Sequence, residues 1–155
     1  MTAYGPGDGP APVALSDEEA SELIGATTFG TLATVKRSGH PHMSTVVFSW
    51  DEKERIVRIS TTADRLKVRQ LRNNPRTSLY VSSEDFMAFA VAEGTAELSD
   101  VAAEPGDAVS RELLDMMGGF PDPADEAAFL GQMVKDRRVV IRLHVERLYG
   151  TSLTK

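Results

Sequence analysis

The chain has 155 residues, 41% hydrophobic and 26% charged, with no cysteine; that allows one domain with a proper core and excludes a disulfide framework, a thiolate metal site and a cysteine nucleophile. Its 17 basic and 23 acidic residues leave a net charge of −6, which repels nucleic acid at long range and argues against a general DNA or RNA binder. Residues 1–14 show neither the basic nor the apolar region of a secretion signal, no stretch nears the roughly 18 apolar residues that cross a bilayer, and the expectation is a cytoplasmic protein without membrane contact.

The first 14 residues hold Gly5, Pro6, Gly7, Gly9, Pro10 and Pro12 and read as a disordered tail before a single domain over 15–155. A helix starts at Ser16, which forms a capping box with Glu19; Asp17 and Glu18 suit its first turn, and Leu15 sits where a hydrophobic staple would. The helix runs to about Gly25. The period then changes to two. Residues 31–35, 42–50 and 56–61 are rich in Val and Thr between turn signals, Ser38-Gly39 and Asp51-Glu52-Lys53-Glu54, and predict a three-stranded meander. A short helix follows over 64–73, with Asp64 as its N-cap and Pro75 beyond its end.

Strands are expected at 77–82 and 87–98, the second bent at Gly94. Helices are expected at 107–117 and 124–134, on either side of Gly118-Gly119 and a loop with Pro121 and Pro123. The last strand, 138–149, alternates Val139, Ile141, Leu143 and Val145 against Arg142, His144 and Glu146, which predicts one wet face. The fold class is mainly β (α+β): a six-stranded antiparallel barrel with flanking helices.

Chemistry concentrates where the third strand enters the short helix. Ser60 and Thr61 bring hydroxyls; Arg65 offers a forked donor and Lys67 a mobile charge beside a helix start, where free N–H groups favour an anion. Cations there are unfavourable by about 0.3–1 kcal/mol each without a partner, and a bound phosphate supplies one. The same arginines, Arg65, Arg69 and Arg72, also read as a solvated stripe of an amphipathic helix. The second strand, with His42, Met43, Ser44 and Thr45, offers a backbone along which a planar ring can lie, or is an ordinary barrel strand. His40 and His42 would share a strand face, but a third ligand for a metal is not evident, and no metal is expected. No nucleophile elbow, P-loop or dinucleotide fingerprint is present in a fitting context, so no catalytic side chain is assigned.

These residues carry a resemblance. Residues 30–35 (GTLATV), 39–44 (GHPHMS), 65–72 (RLKVRQLR) followed by NPR at 74–76, 90–96 (AVAEGTA), 136–140 (DRRVV) and 148–150 (LYG) occur in the order and spacing of the pyridoxamine 5′-phosphate oxidase-like split β-barrel flavoproteins. Within them the chain most resembles the flavin/deazaflavin oxidoreductase B group, many of which use coenzyme F420. The resemblance implies a split barrel of the FMN-binding type, and a homodimer with two sites at the subunit interface. It implies that Ser60, Arg65 and Lys67 hold the cofactor phosphate and that the strand carrying His42, Met43, Ser44 and Thr45 lines the ring. It implies that residues near Met87 and Phe89 of the second subunit cover the site, although the position of Met87 often carries an aromatic residue in the family.

The function expected is an oxidoreductase that passes hydride from reduced coenzyme F420 to a conjugated small-molecule acceptor; the cofactor carries the chemistry and the protein positions it. The γ-glutamate tail of coenzyme F420 needs cations beyond the phosphate, and Lys36, Arg37, Arg69 and Arg72 can supply them; FMN would need none. The alternatives are an FMN-dependent oxidase or reductase of the same family, and a non-catalytic binder of cofactor or haem, with His40, His42 and His144 as the axial candidates.

Overall fold

A computed structural model describes residues 7, 9 and 11–154. The elements are β1 (Val13–Ala14), α1 (Asp17–Gly25), β2 (Phe29–Val35), β3 (Pro41–Asp51), β4 (Ile56–Thr62), α2 (Leu66–Asn73), β5 (Arg76–Ser82), β6 (Ala88–Leu98), α3 (Ala108–Met116), α4 (Pro123–Lys135) and β7 (Arg138–Ser152). Six antiparallel strands form a closed barrel in the order β7-β4-β3-β2-β5-β6, and β6 pairs back onto β7. Most of the predicted tail lies outside the described residues. Its last two residues, Val13 and Ala14, are an outer strand paired with Ser152 and Thr151 of β7.

Closure depends on β7, whose 15 residues serve two neighbours within the barrel, besides the outer β1. Its first half pairs with β4, from Arg138 opposite Thr62 to His144 opposite Ile56. From Ile141 onward it pairs with β6 on its other edge. The register slips at Glu93/Gly94, the bend expected at Gly94. A Cβ at Gly94 would stand 2.0 Å from the His144 carbonyl oxygen, so only glycine admits this approach.

The barrel interior is filled by alternate residues of every strand, among them Leu32, Phe48, Ile59, Leu79, Ala92 and Ile141. Ala20 and Ile24 of α1 pack into this core. The capping box is present: the Glu19 N–H donates to Ser16 Oγ (3.1 Å) and the Ser16 N–H to Glu19 Oε1 (3.0 Å). Arg55, at φ 60°, ties the β3–β4 turn to this helix through two hydrogen bonds to Asp17 (2.8 and 2.9 Å).

The predicted wet face of β7 is only partly wet. Val140 is fully buried in a second cluster with Ala102, Val109, Leu113 and Met133, under the α3–α4 pair. The helical insert therefore packs on the outer face of β7 and roofs part of the barrel wall. Glu112 of α3 holds it there, accepting from Arg58 Nε (3.0 Å) on β4 and from Arg142 Nε (2.8 Å) and Nη2 (2.6 Å) on β7. No described helix is long and apolar enough to cross a membrane.

Candidate functional site

The barrel wall is split between β3 and β4. These strands pair only from Phe48 opposite Ile59 to Asp51 opposite Ile56. Beyond that, Ser60 to Thr62 of β4 stay with β7, and residues 41–47 of β3 pair with β2 alone. The Phe48 N–H donates to the Thr28 carbonyl on the β2 side (3.1 Å). Backbone direction alternates along a strand, so the N–H and C=O groups of Met43, Thr45 and Val47 face the unpaired edge. The strand thus presents a row of free donors and acceptors beside an exposed wall.

The four β3 residues expected to line a ring do not act together as side chains. Met43 is 62% exposed and Thr45 is exposed on the same outer face. His42 and Ser44 turn the other way. His42 Nδ1 lies 2.8 Å from Gln70 Oε1 of α2, which also accepts from Thr34 Oγ1 (2.6 Å). Period two is the reason: neighbours on one strand cannot share a face. The same rule separates Ser60, on the outer face, from Thr61, which is buried in the wall and points to the interior. His40 precedes β3 rather than sharing a strand face with His42, and His144 bonds Glu97 (3.0 Å).

The short helix starts later than predicted. Asp64 is not its cap: Thr62 Oγ1 donates to Asp64 Oδ1 (2.8 Å), and α2 begins at Leu66 with Arg65 at the N-cap position and no side-chain cap bond. The first turn has no acid. Lys67 is half-buried without an ion-pair partner; burial pushes its ammonium below the usual lysine range, and Arg65 pushes the same way.

Other residues of α2 share a pocket with the β2–β3 turn, lined by Lys36, Arg37, Leu66, Arg69, Gln70, Arg72 and Asn73. It brings together the β2–β3 turn and α2, with four cations and no acid. Gly39, at φ +88°, closes that turn, whose Lys36 N–H bonds the His40 carbonyl (2.9 Å). Among the described residues Lys36, Arg37, Arg65, Lys67, Arg69, Arg72 and Arg76 make no ion pair, whereas Arg55, Arg58, Arg111, Arg138, Arg142 and Arg147 each do. In a protein of net charge −6, a cluster of unpaired cations is an anion site or an unusually repulsive surface.

A second cavity, of about 260 Å³, opens between the split and the helical roof. Val47, Ser49, Ser60 and Arg138 line it from the barrel, and Leu113, Met116, Phe129 and Met133 from the helices. Arg138 was not singled out in the sequence. Its Nη1 stands 3.5 Å from Ser60 Oγ, and its Nε is buried without a hydrogen-bond partner; Asp136 Oδ2 stays 3.7 Å away. Leaving a buried donor unmet costs about 1–3 kcal/mol. Its sequence signals were its place in the DRRVV run at 136–140 and at the start of an otherwise apolar strand.

Met87 and Phe89 are not near His42–Thr45 in one chain. They lie at the start of β6, which faces β3 across the barrel. Phe89 stacks on Tyr80 (centroids 5.6 Å apart) and Met87 is 38% exposed.

A family model described as pyridoxamine 5′-phosphate oxidase matches residues 16–152. Among solved structures, a conserved hypothetical protein from Mycobacterium tuberculosis is 23% identical, with 90% of this chain and 86% of that one covered and a TM-score of 0.68. An F420 reductase is 27% identical over 83% of this chain and 94% of that one, at a TM-score of 0.57. An FAD-binding protein from Mesorhizobium loti is 18% identical over 91% and 96%, at 0.61.

Proposed function

The chain belongs to the pyridoxamine 5′-phosphate oxidase family, and from that premise we propose that it is an oxidoreductase that binds a flavin-type cofactor, coenzyme F420, and reduces a conjugated small molecule. The observation that carries the reading is the acid-free pocket of Lys36, Arg37, Arg69 and Arg72, the last two on the same helix as the half-buried, unpaired Lys67. A single phosphate needs Lys67, Arg65 and the open N–H groups of α2. The remaining four cations suit a longer polyanionic tail. The 27% identity to an F420 reductase supports the same choice.

The residues divide the work. Lys67 and Arg65 neutralise the phosphate, and Lys67 regains in that contact what burial took from it. The unpaired edge of Met43, Thr45 and Val47 offers backbone donors and acceptors to the polar rim of a ring lying against the outer wall. His42 is held by Gln70 and keeps the strand end against α2. When bound, the reduced deazaflavin supplies a hydride to the acceptor, and a proton from water completes the product.

The assembly proposed is a homodimer. Phe29 (64% exposed), Met43, Val47 (54%), Tyr80 and Tyr149 leave the outer wall apolar, and a second copy against it brings its Met87 and Phe89 to the β3 edge that its own fold keeps them from. The test is titration of the chain with coenzyme F420 and, separately, FMN, followed by cofactor fluorescence, with sedimentation at micromolar concentration. Tight coenzyme F420 and weak FMN binding by a dimer is the result expected. The reverse order moves the chain to the FMN enzymes; binding of neither, or a monomer, overturns the reading.

A further inference from the structure

We propose that the cavity between the α3–α4 pair and the barrel split is the acceptor site, and that Arg138 there holds the anionic oxygen of a planar, apolar molecule of about two fused rings. The word acceptor rests on the proposed cofactor position; the anion contact does not.

Size comes first. An apolar cavity of about 150 Å³ holds benzene; this one, of about 260 Å³, takes a bicyclic skeleton. Its helical side is Leu113, Met116, Phe129 and Met133, and methionines adapt their shape to flat ligands. Apolar pockets orient a ligand through a few polar groups, and this one offers Ser60 and Arg138.

Charge comes second. Three arginines face outward from β4 and β7 under the helices. Arg58 and Arg142 are taken by Glu112 (3.0 and 2.6 Å). Arg138 is not: its contacts are a long one to Ser60 Oγ (3.5 Å) and an Asp136 oxygen at 3.7 Å. Its Nε is the one buried side-chain nitrogen or oxygen among the described residues without a hydrogen bond. The Arg138 side chain lines the cavity and is 31% exposed, with only a long ion pair through Nε; a forked cation so placed in an apolar pocket is shaped for a carboxylate or an enolate.

Position comes third. Val47 belongs both to the unpaired edge of β3 and to the cavity wall. A molecule held by Arg138 therefore lies alongside the strand against which the ring is placed.

The probe is 2-naphthoate, compared with uncharged 2-naphthamide, titrated into the full chain by ligand fluorescence, with and without saturating coenzyme F420. Expected is saturable naphthoate binding, with the amide about 10- to 100-fold weaker, the range of one charge-assisted hydrogen bond. Arg138→Gln should lower naphthoate affinity by the same factor and leave the amide unchanged. Equal binding of acid and amide by the unaltered chain, which needs no variant to fold, overturns the proposal; so does indifference to Arg138→Gln, or no binding, as when a second copy fills the cavity. Displacement of naphthoate by coenzyme F420 assigns the cavity to the cofactor and overturns the acceptor role. Naphthoate bound through Arg138 with no binding of coenzyme F420 sustains the anion site while the cofactor reading fails.

Discussion

Reversing Lys36 and Arg37 to glutamate in one variant separates a tailed cofactor from one that ends at its phosphate. Both residues sit exposed on the β2–β3 turn, and neither side chain makes an ion pair. Folding should therefore change by less than about 0.5 kcal/mol. An exposed charge pair contributes about 0.2–1 kcal/mol. Reversal removes that attraction and adds repulsion of similar size at two positions, giving about 1–4 kcal/mol. A central value near 2 kcal/mol is about 30-fold in Kd. The assay is fluorescence titration of both proteins with coenzyme F420 and with FMN at low salt. Coenzyme F420 should weaken about 30-fold and FMN hardly at all. At 1 M salt the gap should shrink, because charges are then screened within about 3 Å. Equal loss for both cofactors would refute the assignment of the basic pocket to a tail.

Lys67→Ala should cost about 1.5–3 kcal/mol of affinity for either cofactor, read in the same titration. Because burial lowers the Lys67 pKa, affinity in the unaltered protein should decline on raising pH before the ordinary lysine value of 10.5 is reached. Glu112→Gln unpins α3. Arg58 keeps Asp51 (3.3 Å) and Arg142 keeps Glu97 (3.4 Å), so the loss falls between a surface and a buried pair, at about 1–2 kcal/mol, or roughly 3–8 °C in Tm. The Arg142 and Arg58 bonds hold the Glu112 carboxyl below the ordinary glutamate value of 4.5, so its contribution is present above that pH and is lost as pH falls through the lowered value. Asp107 caps α3 by accepting from the N–H groups of Ala103, Glu104 and Ser110, which holds its pKa at about 2 against 3.8. Asp107→Ala should cost about 1–2 kcal/mol in urea unfolding at neutral pH and should remove the part of the acid destabilisation that lies between pH 3.8 and about 2; an unchanged acid profile would show that the cap is not formed.

What the sequence determined by itself is what short-range chemistry controls. The α1 capping box, the strands with their Val/Thr runs, the bend at Gly94 and the crowding of cations on α2 all lie within a few neighbouring residues, so propensity and period reveal them. The tertiary structure decided which side of each strand is wet and what stands opposite. Asp64 reads as a cap until Thr62 claims it. Ser60 and Thr61 read as one hydroxyl pair until pleating sends them to opposite faces. The face of β7 that carries Arg142, His144 and Glu146 reads as wet until α3 and α4 cover its Val140. Arg138 looks like any strand-start arginine until Glu112 satisfies its two neighbours and leaves it only a long ion pair to Asp136 (3.7 Å). These outcomes depend on strand register and on contacts tens of residues apart in the chain, and local pattern carries no record of partners so distant.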